Sequence, residues 1–194
     1  MLSEAGITAA LSKGEVEVVP FSELQLRGAS YVLRLGSRFR RWSHDGNPVE
    51  MWSSSEKDHS LDAPFDTQKL TLQPGEFILG TTLERVGVSP ALAASISPLS
   101  HVARFGLSTT LGADLVNPGY GHGGPMSLTL ELFNHNHRAL ILTAGMPIAH
   151  LRLFQLTGGG LVRDRRSIYQ GADPLVSPKI YEEWHRLIGM NVND

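Results

Sequence analysis

The sequence predicts a mainly β protein, and two features of its pattern support that prediction. Short apolar segments recur through the middle of the chain, separated at short intervals by Gly, Pro, Asn or Asp. Several of them alternate apolar and polar residues, as strands with one buried face do. We therefore expect antiparallel strands in a barrel or sandwich rather than alternating strands and helices. The predicted strands are YVLRLG, KLTL, EFILGTTLERV, ASIS, LSTTLG, SLTLELFN, ALILTAG and IAHLRLFQL.

One predicted strand, SLTLELFN at residues 127–134, carries a carboxylate among apolar neighbours. Alternation places Leu128, Leu130 and Leu132 on one face and Glu131 on the other. A carboxylate that is buried away from water needs hydrogen-bond or ion-pair partners, or else it is protonated. Two interpretations follow: Glu131 faces solvent and is unremarkable, or it lies in a pocket and is central to function.

Helices are predicted at both ends of the chain. Ser3 can cap a helix that runs through about Ser12 and ends at Gly14. Near the other end, Ser177 is the predicted N-cap of a helix that stops at Gly189.

We expect a single domain over residues 1–194, consisting of an N-terminal helix (1–14), a β body, and a flap with the last helix (157–194). Residues 43–68 are polar and rich in turn residues, which predicts an exposed loop. The Gly-rich, basic segment 157–174 fits either a mobile flap or a linker to the last helix, and its composition favours the linker.

Composition restricts the classes of function. The chain has 194 residues, 41% of them hydrophobic, and a net charge of −2, so neither a nucleic-acid polymer nor a membrane is an expected partner. The N-terminus lacks the pattern of a signal peptide, which predicts a cytoplasmic protein. Cysteine is absent, which excludes disulfides, thiol catalysis and thiolate metal sites. We predict no metal site built by the protein, and interpret the NHNH at 134–137 as a polar turn.

Six segments, read in order, resemble one family. They are GASYVLRLG (28–36), LQPGEFILGTTLERV (72–86), SHVARFGL (100–107), LVNPGYG (115–121), LTLELFN (128–134) and TAGMPIAHLRLF (143–154). Together they resemble the dCTP deaminase branch of the trimeric dUTPase superfamily. The resemblance implies a distorted β-barrel of the dUTPase-like, β-clip type, a homotrimer, and sites shared between subunits. It also implies conversion of dCTP to dUTP, or onward to dUMP, with Mg²⁺ bound through the nucleotide phosphates and no zinc.

The resemblance assigns roles to individual residues. Glu131 matches the catalytic Glu, which takes a proton from water and passes it to the departing amine. Ser100 and Arg104 match the Ser and Arg of the family's catalytic motif. Ala113 aligns with a position whose backbone helps to hold the attacking water. Tyr120 matches an aromatic residue under the deoxyribose, although a turn aromatic that covers the barrel end would look the same.

The chain departs from the family pattern mainly where the family binds sugar and phosphate. Asn117 replaces an Asp; it can accept a hydrogen bond from a hydroxyl but cannot act as a base. Leu99 stands in place of a phosphate-binding Arg, and His101 in place of a Ser. His101 could replace part of the lost contact.

The tail departs as well. Ile168 and Ala172 replace a Lys and a Gln that fold over the phosphates, while Tyr169 and Gln170 remain. The arginines within residues 163–166 could bind phosphate instead, or could simply be solvated.

Three hypotheses follow. The first is zinc-independent hydrolytic deamination of a cytosine deoxynucleotide, dCTP to dUTP and ammonia by default, with Glu131 as general base and acid. The second is a catalytically diverged member that binds nucleotide or regulates. The third is dUTP pyrophosphate hydrolysis, which Asn117 disfavours.

Overall fold

The computed structural model describes residues 1–44, 46–53, 60–158 and 169–188, except the side chains of residues 184 and 186–188. Its α-helices are α1 (Glu4–Ser12), α2 (Ser100–Arg104) and α3 (Ile180–Ile188), and Glu23–Gln25 forms a 3-10 turn. Its strands are β1 (Val16–Val19), β2 (Leu26–Arg27), β3 (Ser30–Arg41), β4 (Phe65–Asp66), β5 (Lys69–Leu72), β6 (Phe77–Val88), β7 (Leu92–Pro98), β8 (Leu107–Ser108), β9 (Leu115–Val116), β10 (Met126–Asn134), β11 (Leu140–Thr143) and β12 (Pro147–Gln155).

Within the described residues, ten strands form one antiparallel sheet. Its main path runs β8-β10-β6-β3-β12-β7-β9, with β1 beside β6 and with β2 and β4 beside β3. Strands β5 and β11 form a separate two-stranded sheet. Register shifts interrupt three of the pairings, β10 with β6, β12 with β3 and β3 with β6. Such irregularities increase local twist, and the sheet curls into a half-barrel. The predicted mainly β, distorted-barrel class with short terminal helices is confirmed.

The core lies inside the curl of the sheet. The predicted inner face of β10 is confirmed: Leu128 is 4% exposed, and Leu130 and Leu132 are 0% exposed. Fully burying a leucine stabilises a fold by roughly 1.5–3 kcal/mol, so these three fix which face of β10 points inward. Helix α1 packs Ile7 and Ala10 against the same core. No helix in the described ranges is long and apolar enough to cross a membrane.

The N-terminal helix forms as predicted. The Ser3 side chain accepts a hydrogen bond from the Gly6 backbone N–H at 3.3 Å, and the helix runs through Ser12. Gly14 follows with a φ of +70°, the left-handed conformation that glycine adopts without strain.

The prediction of a strand over LSTTLG was wrong beyond its first two residues. Only Leu107–Ser108 is a strand, because Leu111 has a φ of +42° and Gly112 a φ of +93°, which turns the chain. Thr109 and Thr110 are buried beside this turn.

The last helix begins later than predicted. It starts at Ile180, and the Lys179 carbonyl accepts the first helical hydrogen bond, from Glu183 at 3.0 Å. The predicted cap, Ser177, is 0% exposed and packs inside the protein instead. The predicted stop at Gly189 lies outside the described residues.

The predicted loop at 43–68 is anchored at both ends. Trp42 forms a bridge with Leu61, and β4 pairs with β3. The described residues between those anchors contain neither helix nor strand.

A buried carboxylate that sequence reasoning missed stabilises the middle of the sheet. Glu84 is 0% exposed. One of its oxygens accepts hydrogen bonds from Arg34 Nε at 2.6 Å and Gln25 Nε2 at 2.8 Å, and the other accepts one from the Arg34 backbone N–H at 2.7 Å. Both oxygens are thus satisfied inside the protein.

Glu84→Ala should lower the free energy of unfolding by about 3 kcal/mol, because it leaves the Arg34 guanidinium and the Gln25 amide without their partner. Urea unfolding followed by circular dichroism measures this. Glu23→Ala is the matched control, since Glu23 is exposed, and it should change stability by no more than about 0.5 kcal/mol. Equal effects of the two substitutions would contradict the role given to Glu84.

Candidate active site

A cavity of about 450 Å³ lies between β10, the segment around β9, and the C-terminal residues. Glu131 lies in its wall, as do Ala113, Asn117, Tyr120 and Tyr169. The remaining lining residues are Trp42, Phe77, Leu79, Ile96, Leu115, Val116, Met126, Leu128, Thr129, Asp173, Pro174, Val176 and Pro178. A mostly apolar wall with a few polar groups is typical of a small-molecule site.

Glu131 is half-buried in this cavity, and its carboxylate lacks a hydrogen-bond partner at one oxygen. Oε2 is inaccessible to solvent and unpaired among the described residues. Burial raises the pKa of Glu131 to about 7, against a smaller lowering by its own backbone N–H. Both protonation states are therefore populated near neutral pH, as a group that takes up and releases protons requires.

Backbone pairing on two sides fixes Glu131. It lies opposite Leu79 of β6, and its N–H donates to the Thr109 carbonyl at 3.0 Å. Thr110 adds a bridge to the same residue. The carboxylate is therefore attached to the rigid part of the sheet, not to a loop.

Two uncharged polar groups lie on the turn that contacts Glu131. The Ala113 N–H donates to the Thr110 carbonyl at 2.7 Å, while the Ala113 carbonyl oxygen accepts no hydrogen bond within the described ranges. The Thr109 hydroxyl is buried and has no partner there either. Ala113 lines the cavity and Thr109 does not, so the Ala113 carbonyl is the acceptor available there for an ordered water.

The segment after β9 forms another part of the wall. The Asn117 carbonyl accepts a hydrogen bond from the Tyr120 N–H at 3.1 Å, which closes a turn. The Tyr120 hydroxyl donates to the Ser127 carbonyl at 2.9 Å, and burial raises its pKa to about 12. The ring is thus held neutral and in a fixed position.

The C-terminal residues 169–179, which we call the strap, cover the cavity. Asp173 forms an ion pair with Arg38 at 2.6 Å, and the Leu175 carbonyl accepts from Arg40 at 2.8 Å. The Gln170 side chain accepts from the Gly121 N–H at 3.2 Å. Composition favoured a linker here, but this part of the segment packs against the body of the protein. Residues 159–168, including the predicted arginines and Ile168, lie outside the described residues.

The motif residues of α2 are not in this cavity. Ser100, His101 and Arg104 are exposed on α2, and none of them lines the wall around Glu131. Leu99 is 4% exposed and belongs to the core, so it presents nothing to a phosphate.

The described lining of the cavity contains no cation. Its two charged residues, Glu131 and Asp173, are both acidic. Sequence reasoning missed Asp173, Trp42 and Phe77. Their contributions depend on long-range packing, for which no local pattern exists.

A larger cavity of about 900 Å³ shares Trp42, Phe77 and Pro178 with the Glu131 cavity. Its acidic residue, Glu76, is paired with Arg41 at 2.8 Å. Because none of its described lining residues is an unpartnered carboxylate, we place the candidate active site at the smaller cavity.

The curled antiparallel sheet and the unpartnered carboxylate in its wall define a half-barrel protein with a candidate proton-transfer site. A protein-family model described as dCTP deaminase-like matches residues 1–156. The chain belongs to that family, as the resemblance predicted.

Named relatives agree with this assignment. A dUMP-forming dCTP deaminase of Corynebacterium jeikeium (strain K411) is 33% identical over 159 residues, which are 81% of this chain and 82% of the relative. A dUMP-forming dCTP deaminase of Parafrankia sp. (strain EAN1pec) is 36% identical over 163 residues, which are 81% of this chain and 77% of the relative. The crystal structure of 2'-deoxycytidine 5'-triphosphate deaminase from Agrobacterium tumefaciens matches 78% of this chain and 47% of its own, longer chain, with a TM-score of 0.59 and 21% identity. That match supports the fold alone.

The pKa of Glu131 predicts a dependence of stability on pH. Because its folded-state pKa of about 7 exceeds the ordinary value of 4.5, the folded state binds more protons between these values, and stability falls as pH rises through this window. Glu131→Gln removes this loss. Between pH 4.5 and pH 8, the free energy of unfolding of the variant should therefore rise relative to that of the unsubstituted protein. The expected rise is on the order of 2 kcal/mol once partial solvent screening is taken into account.

Urea unfolding at several pH values measures the difference. Glu23→Gln, an exposed site, should show no such trend. A constant difference between Glu131→Gln and the unsubstituted protein would mean that the carboxylate titrates normally.

Proposed function

We propose that this protein deaminates the cytosine of a deoxynucleotide, with dCTP as the default substrate and dUTP and ammonia as products. The observation that supports the proposal most directly is the half-buried, unpartnered Glu131 carboxylate, with a pKa of about 7. The dCTP deaminases among its relatives support the substrate class.

In this mechanism Glu131 acts first as a base and then as an acid. It takes a proton from a water molecule as the water oxygen attacks C4 of cytosine, and passes that proton on to the amine, which leaves as ammonia. The Ala113 carbonyl oxygen holds the water. The apolar wall excludes other water, which strengthens these contacts. The step requires no zinc.

Sugar and base lie against the segment after β9. The anchored ring of Tyr120 packs under the deoxyribose and leaves no room for a 2′-hydroxyl. The Asn117 amide binds the 3′-hydroxyl but cannot serve as a base. For that reason we propose dUTP as the product, although the two relatives named above are dUMP-forming.

The phosphates require groups from outside the described cavity. We propose a homotrimer in which α2 of a neighbouring copy brings Ser100, His101 and Arg104 to the nucleotide. The absence of any cation from the described cavity wall, together with the exposure of these three side chains, supports this arrangement. Mg²⁺ would arrive on the phosphates, because it prefers phosphate oxygens and water to a cage of protein ligands. No group of three or more His, Cys, Asp or Glu side chains within the described residues is suited to hold a metal.

The second candidate function is nucleotide binding without turnover. The burial of Leu99 favours it, because a phosphate contact of the family is missing here. Such a protein would be stabilised by nucleotide but would release no ammonia.

A substrate panel with the Glu131→Gln variant distinguishes these functions. Purified protein is incubated with Mg²⁺ and dCTP, dCDP, dCMP, CTP or dUTP, and ammonia and pyrophosphate are assayed. Glu131→Gln should lower kcat about 10³-fold or more, because proton transfer is lost, while dCTP still raises the melting temperature.

Glu23→Gln is the control, since its carboxylate is exposed elsewhere, and it should retain full activity. Retained turnover in Glu131→Gln would end the mechanism. No ammonia from the unsubstituted protein, with nucleotide still bound, would establish the binding function instead. Pyrophosphate from dUTP would contradict the assignment of dUTP as the final product.

Tyr120→Leu should reduce the preference for dCTP over CTP about tenfold in kcat/KM, because the ring that excludes the 2′-hydroxyl is gone. Tyr120→Phe is the matched control: it keeps the ring and loses only the hydrogen bond to Ser127. The two substrates are compared in one preparation, so that differences in folding cancel. An unchanged preference in Tyr120→Leu would remove Tyr120 from sugar selection.

A further inference from the structure

The larger of the two cavities described above, of about 900 Å³, has no part in the proposed chemistry. We call it the second cavity. It lies between residues 41–42 at the end of β3, the loop that follows β3, residues 71–77 of β5 and β6, and residues 178–180 before and at the start of α3. Ligand pockets commonly measure roughly 300–1,000 Å³, so the second cavity has the size of a small-molecule site.

Large apolar side chains that are exposed to solvent line part of the second cavity. They are Val49 and Met51 in the loop after β3 and Ile180 at the start of α3. An apolar ligand would remove these side chains from water, which is favourable. Methionine adds adaptability, because its flexible side chain packs against ligands of different shapes. This part of the lining therefore favours an apolar occupant.

A contact between aromatic rings joins two sides of the second cavity. The Trp52 ring, in the loop after β3, meets the Tyr181 ring of α3 edge-on, with the ring centroids 6.0 Å apart. Tyr181 in turn packs against His185, with 4.1 Å between the centroids. Trp52 and Tyr181 directly follow the lining residues Met51 and Ile180 in the chain. The loop and the helix that enclose the cavity are thus held to each other by direct contact.

The charged groups of the lining compensate each other. Glu76 Oε1 accepts a hydrogen bond from Arg41 Nε at 2.8 Å, and Oε2 accepts one from the Gln73 backbone N–H at 2.7 Å. The Arg41 guanidinium also lies over the Phe65 ring, 5.1 Å from its centroid. The remaining titratable residue of the described lining, His44, is exposed to water. No charge in this lining therefore needs a charged ligand, and an uncharged ligand avoids the cost of burying one.

The second cavity shares part of its wall with the Glu131 cavity. Trp42, Phe77 and Pro178 line both. Phe77 lies two residues before Leu79, the partner of Glu131 in β6, and residues at such diagonal positions are roughly 7–8 Å apart. The Trp42 indole Nε1 is inaccessible to solvent and has no hydrogen-bond partner among the described residues. No hydrogen bond within that part of the chain therefore fixes the indole in its position.

We propose that the second cavity binds an uncharged aromatic molecule, which shifts Trp42 towards the Glu131 cavity and weakens the binding of nucleotide there. The rings of Trp42 and Phe77 favour an aromatic ligand, because aromatic rings attract one another beyond the area that they bury. A carbonyl oxygen on the ligand can accept a hydrogen bond from the indole N–H once the ring has moved. The effect on nucleotide rests on the proposed function; the binding of the aromatic molecule does not.

Prodan, an uncharged naphthalene ketone, tests the site, because its emission moves to shorter wavelength in apolar surroundings. Fluorescence titration of the full chain measures its affinity. Thr71 is exposed on β5 and lines the second cavity but not the Glu131 cavity. Thr71→Trp should therefore weaken Prodan binding about tenfold or more, because the indole occupies space that the dye needs.

The matched control is Thr143→Trp. Thr143 is exposed on β11 of the same two-stranded sheet, opposite Lys69, and it lines neither cavity. The substitution adds the same side chain outside the cavity and should leave the affinity for Prodan unchanged. Circular dichroism confirms that both variants are folded. Absence of Prodan binding by the unsubstituted protein, or equal affinities of the two variants, would overturn the site.

Anilinonaphthalene sulfonate, an anionic naphthalene, tests the chemical class of the ligand. It should bind more weakly than Prodan, because its sulfonate would have to approach the Glu76 carboxylate or remain in water. Tighter binding of the sulfonate than of Prodan, with a loss in Thr71→Trp, would overturn the assignment of an uncharged ligand.

The effect on nucleotide is measured in the Glu131→Gln protein, which does not consume dCTP. Saturating dCTP should weaken Prodan binding about fivefold and no further, because coupling between two sites is reciprocal and limited. Trp42→Ala should remove this effect while Prodan still binds. Complete displacement of Prodan by dCTP would mean that both occupy one site, and an unchanged affinity would mean that the cavities are independent; either result overturns the coupling.

The two proposals fail in different ways. If Prodan binds and Thr71→Trp blocks it, but no cytosine nucleotide is bound or deaminated, the aromatic site stands and the proposed function fails, together with the coupling that rests on it. If ammonia is released from dCTP but Prodan does not bind, the proposed function stands and the second cavity is not a ligand site of this class.

Discussion

The site depends on one constraint: a carboxylate is held away from water without a partner. The two buried glutamates of the sheet show how much the partners matter. Glu84 is completely buried, yet three hydrogen bonds satisfy it, and it serves the fold. Glu131 is less buried, but one of its oxygens has no partner, and its pKa rises to about 7. The contrast shows that burial raises the pKa of a carboxylate to near neutrality when hydrogen bonds do not compensate for it.

The C-terminal strap contributes to the environment of Glu131. The match to the dCTP deaminase-like family ends at residue 156, whereas part of the cavity wall comes from residues 169–178. The Arg38–Asp173 ion pair and the Arg40 contact with Leu175 hold that wall in place. The enclosure of the cavity therefore depends partly on a segment outside the matched region, and so does the burial that raises the pKa of Glu131. Changes in the strap can alter the site without touching Glu131.

Features set by local pattern could be predicted from the sequence, and features set by distant contacts could not. Alternation in SLTLELFN gave the correct faces of β10, and the Ser3 cap gave the first helix. The same reasoning failed at LSTTLG, because a left-handed Leu111 ends that strand and no local rule anticipates it. Ser177 was predicted as a helix cap from its local sequence. Its burial depends on tertiary packing, which the local sequence does not show. The pairing of Glu84 with Arg34 joins residues fifty positions apart, beyond the reach of periodicity.

Charge limits which part of a nucleotide the cavity suits. A cation beside Glu131 would stabilise its ionised form and lower its pKa, leaving it a weaker base. The described wall contains no cation, and its second carboxylate, Asp173, is already paired with Arg38. The wall therefore suits an uncharged group such as a nucleotide base better than a phosphate tail, which needs cationic partners. The same absence of cations that keeps the pKa of Glu131 near 7 thus leaves phosphate binding to groups outside this wall.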